Sequence, residues 1–332
     1  MMNDQGNYQE LHKGNSNDTQ GLSVIICSIS PERAESVGKN IAETAGIDTE
    51  VIIIDNRERK EPIARIYNEG AGKAKFPYLL FIHEDTRFLG VNWGNIIISK
   101  LAEEKTGAIG FAGSELRIDT LSACGWGSLE EYNILNYIQG EDDEIYHGTL
   151  IESYKRYRTS HCEGNDFVAT VTLDGMAIFA RKNLWEISPF DETFLTGFHC
   201  YDIDFALSLH HKGYINYVCT SASVLFLHTS NGSFSPDWFL TTARIHEGKW
   251  CKMLPASVKD KESYKIDWEK YPRWEHFRFL KKALKQKKLP KQDVDRLIEE
   301  YFKKFGFNLK EYLKLKYKYF WYRKLRKQMK RF

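Results

Sequence analysis

Over the first third of the chain, short continuous apolar runs alternate with amphipathic stretches. Leu22–Cys27 (LSVIIC) is followed by Ser-Ile-Ser-Pro and an amphipathic stretch from Glu32 to Ala45. Val51–Asp55 (VIIID) precedes a second helical stretch, Ile63–Ala74. Tyr78–Asp85 (YLLFIHED) precedes a third, Asn92–Glu103, and Ala108–Gly113 (AIGFAG) closes the series. Runs of this kind suit strands buried on both faces, and their alternation with helices predicts parallel βαβ units. Ligands of such sheets gather beyond the carboxyl ends of the strands. Those ends carry Cys27 and Ser28, Asp55 and Asn56, and His83, Glu84 and Asp85.

From Ser114 to Asn165 the periodicity fades, and an irregular stretch of that length inside a compact domain is expected to be functional or mobile. One strand is expected over Val171–Lys182, then a short helix over Asp202–Lys212 closed by Gly213 at its C-cap. On that helix Ile203, Ala206, Leu207 and His210 share one face, and Asp204, Ser208 and His211 form the opposite polar one. Two further strands, YINYV and SVLFLH, end at His228. Beyond Ser257 the chain turns helical and Lys-rich, with Pro290 and Gly306 as breaks. Asn308 and Glu311 are spaced as a capping box that opens a last basic helix.

With 332 residues and 42% hydrophobic content, the chain can bury a substantial core. The net charge of +2 is unevenly spread: twelve Lys/Arg lie between Tyr301 and Phe332 against Glu311 alone, so the rest is net acidic. That is not the pattern of a nucleic-acid-binding domain, and no nucleic-acid partner is expected. The six cysteines form no CxxC pair and read as reduced, in a cytoplasmic protein. The polar residues 1–20 read as a flexible arm and not a signal peptide, and no apolar run is long enough to span a membrane.

Several residues could carry chemistry, each beside a plainer reading. His83-Glu84-Asp85 offers oxygen ligands at a strand end, where a divalent cation could meet a diphosphate; it could equally be a solvated acidic turn. Asp55 could bond a base or ribose, or simply start a turn. Asn68, on the following helix, could reach the same ligand or be a surface amide. Asp202 stands where an N-cap is favoured, and His228 could be a ligand or a hydrogen-bonded strand residue.

In their order and spacing these pieces resemble the GT-A glycosyltransferases of family 2, in particular the bacterial glycosyltransferase-like branch. The resemblance spans about Leu22 to Ser233 and rests on SVIICS, VIIIDNR, YNEGAGKAKFPYLLFIHEDTRF, LDGMAIFARKNLW, FDETFLTGFHCYDIDFALSLHHKGY and VLFLHTSNGS. It implies a Rossmann-like mixed α/β sheet flanked by helices, over 21–256, with a nucleotide-binding half (21–113) and an acceptor half (114–256). A helical basic extension (257–332) follows.

The resemblance also implies roles. Asp55 matches the carboxylate that reads the nucleotide, with Cys27 and Ser28 lining that pocket and Asn68 beside it. His83-Glu84-Asp85 stands in place of the metal-binding DXD motif, Asp85 matching its last Asp and His228 completing the site. Asp174-Gly175 matches the segment where donor sugar and acceptor meet. Asp202 matches the catalytic base. Two positions depart from the pattern: His83 replaces the first Asp of DXD, and Tyr201 replaces the Glu of a Glu-Asp pair.

The implied activity is an inverting transfer from a nucleotide-diphosphate sugar to an acceptor hydroxyl, assisted by Mn²⁺ or Mg²⁺, in bacterial surface glycan assembly. The acceptor would be a glycan or a lipid-linked chain, and the aromatic, basic segment 308–332 could rest on an anionic inner membrane face. An inactive relative that binds nucleotide or glycan is the alternative. A sugar nucleotidyltransferase fits poorly, because CSISPER has no glycine for a phosphate loop.

Overall fold

The computed structural model describes residues 20–122, 127, 129–140, 155–159, 164–229 and 234–322. Residues 1–19 of the expected arm, Cys124, Cys162 and the last ten residues lie outside them. Strands β1 (Leu22–Ser28), β2 (Thr49–Asp55) and β3 (Tyr78–Ile82) are parallel, in the order β3-β1-β2, and are joined by helices α1 (Pro31–Thr44) and α2 (Ile63–Lys73). Helix α1 buries Ala34, Val37, Gly38 and Ile41, the one-sided spacing of a helix lying on a sheet. Helix α2 lies still closer at Gly70, where a Cβ would stand 2.3 Å from Ile25 Cγ2. The register sets Ser28 beside Asp55, and β3 reaches its last pair, Ile26–Ile82, close by. The three strand ends therefore share one rim of the sheet.

Helix α3 (Trp93–Leu101) leads to β5 (Thr106–Gly110). Strand β12 (Ala177–Arg181) runs antiparallel between β3 and β5, followed directly by α4 (Lys182–Ile187). β13 (Ile215–Cys219) lies parallel to β5, and β10 (Phe167–Thr170) is the edge. The result is the mixed, seven-stranded α/β sheet expected of a GT-A domain.

A second sheet holds β11 (Thr172–Leu173), β6 (Ala112–Ser114), β8 (Asn133–Gln139), β14 (Phe226–His228) and β4 (Thr86–Phe88), with β9 (Lys155–Arg158) on β8. A small ribbon pairs β7 (Leu116–Arg117) with β15 (Ala256–Ser257).

Two expectations change. The stretch from Ser114 to Asn165 is not irregular throughout, because it contains β8 and β9; the buried Asn133 and Asn136 break the apolar alternation that would have announced β8. Residues 123–126, 128, 141–154 and 160–163 of that stretch lie outside the described ones. The single strand expected over Val171–Lys182 is two short ones, β11 and β12, in different sheets, with Asp174-Gly175 at the crossing.

Helices α5 (Tyr201–His211) and α6 (Pro236–Gly248) complete the body, and α7 (Tyr271–Ala283), α8 (Lys291–Phe305) and α9 (Leu309–Phe320) form the extension. One apolar cluster runs from Ile25 and Phe81 through Leu280, Leu297 and Tyr301 to Leu315, so the extension shares the body's core. Asp204, expected on a polar face, is buried at 1% exposure. It accepts from Lys249 Nζ (2.8 Å) and Trp250 Nε1 (3.0 Å), and Lys249 also donates to Asp191 (2.9 Å). The helical pattern could not show this, since the partners lie 45 and 46 residues away. Asp204→Ala should cost about 3 kcal/mol of stability in a denaturant titration, because it removes one of the two carboxylates that hold a partly buried ammonium and leaves the buried Trp250 indole N–H without its acceptor. A change below about 1 kcal/mol would refute the structural role.

Candidate active site

Three elements bring one cluster together. Just past β3, His83 N donates to Met176 O (3.1 Å), which continues the β3–β12 pairing by one residue. The antiparallel β14–β4 register then sets His228 opposite Thr86, next to Asp85. Asp85 O accepts from both the amide and the hydroxyl of Thr229 (3.0 Å each), which pins the turn. Asp85 Oδ1 consequently lies 3.6 Å from His228 Nε2 and 3.9 Å from His83 Nδ1.

Those residues offer one carboxylate oxygen and two imidazole nitrogens, all within 4.8 Å of one another. Asp85 Oδ1 and His228 Nε2 are buried and have no hydrogen-bond partner. Buried polar atoms are nearly always satisfied, so two facing orphans mark a place for a bound group. A divalent cation fits this donor set. Burial works against the Asp85 carboxylate, yet the neighbouring His228 and His83 hold it down at about 2. Burial lowers the His83 pKa, so its ring is neutral and able to ligate. For His228 burial acts in the same direction, but Asp85 outweighs it and raises the value.

The second half of the site is a chain of hydrogen bonds. His83 Nε2 lies 2.6 Å from Tyr201 Oη, Tyr201 Oη donates to Gly175 O (2.9 Å), and Gly175 N donates to Asp202 Oδ2 (2.9 Å). Since the tyrosine proton goes to Gly175, His83 Nε2 must carry its own proton and donate it. The lone pair of His83 is then on Nδ1, the atom that faces Asp85. A ligating histidine is commonly fixed in this way through its other nitrogen. The two departures from the family pattern, His83 and Tyr201, are therefore hydrogen-bonded to each other.

Asp202 is the second residue of α5, not its cap. The cap position belongs to Cys200, which has a left-handed φ of 70° and makes no side-chain cap bond. Such a backbone costs a non-glycine residue about 1–2 kcal/mol, and strain of this kind tends to sit beside functional groups. Burial and the nearby Asp174 push the Asp202 carboxyl up to about 7, in the range useful to a base at neutral pH. Gly175 leaves no room for a side chain: its Cβ would stand 2.1 Å from Tyr201 Oη. Gly175→Ala should displace Tyr201 and lower kcat by at least about tenfold, in line with the loss of an orienting partner. Unchanged kcat with an intact fold would refute that linkage.

The remaining expected residues are placed as follows. Asp174 lies at the sheet crossing and accepts from Met176 N (3.0 Å). Asp55 is exposed at the end of β2, where Arg57 side-chain and backbone hydrogen bonds lower its pKa. Ser28 donates to Glu84 (2.8 Å), and Glu84 also accepts from the amides of Ile29 and Ser30 at the start of α1. Glu84 thus ties two strand-end turns together and is not among the three clustered ligands. Burial, then Glu84, pushes the Cys27 thiol up to about 12, so it stays a neutral thiol.

Asn68 needs correction. Its amide donates to Phe190 O and Glu192 Oε1 and accepts from Trp185 Nε1 and Phe190 N. Those four bonds hold α2 to α4 and the segment after it and use the amide's whole donor and acceptor capacity.

Two residues at the site were not foreseen. Phe198 is 53% exposed, with its ring 5.5 Å from that of His83. Tyr137 of β8 stacks on Tyr157 (5.1 Å), and burial followed by Asp174 raises its pKa. Both lie in stretches without clear periodicity, and only the TGFHC turn before Asp202 hinted at Phe198.

No curated protein matches the chain. Among solved structures, one similar chain is described as the crystal structure of GalNAc-T7 with UDP, GalNAc and Mn²⁺. Identity is 12%, the TM-score is 0.43, and the match covers 86% of this chain and 55% of that one. This chain thus spans about half the length of that structure, and a likeness at that level carries no argument about the site. The model of a family described as glycosyltransferase-like matches residues 23–251, more than half of the sequence. The chain belongs to this glycosyltransferase-like family.

Proposed function

We propose that the protein is an inverting glycosyltransferase that moves a sugar from a nucleoside-diphosphate sugar to an acceptor hydroxyl. The observation that carries the reading is the hydrogen-bonded path from Asp202 through Gly175 and Tyr201 to His83, beside the facing orphan atoms of Asp85 and His228. It joins a base of raised pKa to a cation-ready cluster. Family membership supports glycosyl transfer as the general chemistry.

Asp85, His228 and His83 would hold Mn²⁺ or Mg²⁺. The ion, when bound, would neutralise charge on the departing diphosphate. Two imidazoles beside one carboxylate suit Mn²⁺ better than Mg²⁺, which prefers oxygen ligands and retained water. Asp202 takes the proton of the acceptor hydroxyl as that oxygen attacks the anomeric carbon. Tyr201 keeps the His83 lone pair aimed at the cluster, and Gly175 holds Asp202 in place. Asp55 bonds the nucleoside; its exposed ion pair with Arg57 is weak and readily exchanged for a base or ribose. Asp174 and Tyr137 line the side where acceptor and sugar meet, and Phe198 covers the mouth.

The acceptor is a glycan or lipid-linked chain of bacterial surface assembly, and the protein works in the cytoplasm at the inner membrane face. Thermal unfolding with Mn²⁺ and a panel of UDP-, GDP- and dTDP-sugars tests donor binding. A donor at 100 times its Kd should add about 2.7 kcal/mol. The absence of protection by any of them would contradict the reading. Protection without release of nucleoside diphosphate would favour the inactive binding module instead.

A further inference from the structure

The sequence leaves open whether the aromatic stripe of the last helix packs on the body. In the fold it does not. Helix α9 buries Leu315, with Tyr319 half-buried against the core, and turns its stripe outward. Leu309, Leu313 and Tyr317, one helical row, are 61%, 57% and 64% exposed; Phe307, Phe320 and Trp321 extend the row. The helix is firmly held in that orientation. Arg273 Nη2 donates to Glu311 Oε2 (2.8 Å) and Nη1 to Phe305 O (2.5 Å), while Tyr301 Oη donates to the same Glu311 oxygen (2.8 Å). Asn308 caps the helix by accepting from Glu311 N (3.0 Å).

Next to the apolar row runs a cationic one, Lys310, Lys314 and Lys318. Lys310 and Lys314 have no carboxylate within ion-pair distance among the described residues. The field continues onto α7: burial first, then Lys318, Arg278, Lys314 and Lys285, pull the Lys281 ammonium below its ordinary value. Like charges are therefore crowded on this side, and of the cations named Arg278 is paired, with Glu275 (3.1 Å). Among the described residues no helix is long and apolar enough to cross a membrane, so this surface can lie on a bilayer but not span it.

We propose that the exposed face of α9 docks the protein on an anionic lipid bilayer, with the helix in the interface plane. Its apolar row enters the headgroup boundary, and Lys310, Lys314 and Lys318 meet the lipid charges, as in interfacial amphipathic helices. A second copy of the chain is a poor occupant, since an isologous pairing would set these lysines against their equivalents. A nucleic acid offers nothing to the apolar row. The proposal does not depend on sugar transfer, although it would bring the site to a lipid-linked acceptor.

Co-sedimentation of the full chain with vesicles tests it. The chain should pellet with phosphatidylcholine vesicles containing phosphatidylserine at low salt, and be released as salt rises. It should stay in solution with phosphatidylcholine alone. Lys310→Gln with Lys314→Gln should weaken partitioning by roughly tenfold or more. Leu313→Glu with Tyr317→Glu should abolish it while the melting temperature and donor turnover stay unchanged. The proposal is overturned if the intact chain ignores anionic vesicles at low salt, or if the Leu313→Glu/Tyr317→Glu variant pellets as before. It is also overturned if size-exclusion shows a dimer that this variant dissolves, because the face then serves self-association. Donor turnover is measured separately, so failure of the transfer reading leaves the vesicle result intact.

Discussion

Asp202→Asn should lower kcat by about 10²- to 10⁴-fold, the usual contribution of a positioned base, and should at the same time raise the melting temperature. Asparagine keeps an oxygen for Gly175 N but cannot take a proton. Burial and Asp174 raise the folded-state pKa to about 7 from the ordinary 3.8, so ionising this group works against folding. The sign follows from proton counting: between those two values the native state holds more protons than the unfolded one, and stability falls as pH rises through that window. A neutral Asn escapes this loss, which is the trade-off expected where a strained site serves activity. The same pKa predicts that kcat of the wild type climbs with pH through about 7, because only the carboxylate accepts a proton. Donor affinity should stay nearly unchanged. A variant that keeps most of its kcat, or that is less stable than wild type at pH 8, would remove Asp202 from the role. Asp204 and Asp191 are poor substitutes, since Lys249 already occupies both.

Asp85→Ala should reduce Mn²⁺-dependent transfer by about 10³-fold, the scale of several kcal/mol of charge stabilisation. It removes the only carboxylate of the three-ligand group and leaves two histidines, too few to keep an ion. Mn²⁺ binding, followed by electron paramagnetic resonance with a nucleoside diphosphate present, should disappear in parallel. Because His228 loses its partner, its raised pKa should fall, since burial, the largest influence on it, acts downward and only Asp174 is left to oppose it. Wild-type activity should be restored after chelation at lower concentrations of Mn²⁺ than of Mg²⁺. Mn²⁺ binding that survives the substitution would place the ion elsewhere.

Much of this arrangement can be read along the chain, and the unread parts have physical causes. The first three strands declare themselves as continuous apolar runs, and the rule that ligands gather beyond strand ends points to Ser28, Asp55 and His83 without further help. What a linear pattern cannot show is pairing over distance. Asn68 looks like a free amide until Trp185, Phe190 and Glu192, more than a hundred residues on, take up its bonds. Glu84 stands in the acidic triplet but turns to the Ile29 and Ser30 amides just ahead of α1, while Asp85 next to it faces His228. The break at Asp174-Gly175 stays hidden because VTLDGMAIFARK reads as one strand, and the Tyr201 hydroxyl that requires a glycine at 175 lies 26 residues on. His83 and Tyr201, odd when taken singly, make sense once 2.6 Å separates them.

The most direct test of the account is nucleoside-diphosphate release from the protective donor, measured on the full chain in Mn²⁺ and in excess EDTA. The account predicts release that requires Mn²⁺, stops in EDTA, returns on adding the metal back, and is lost in both Asp85→Ala and Asp202→Asn. Release that continues undiminished in EDTA, or that survives both substitutions, would contradict it.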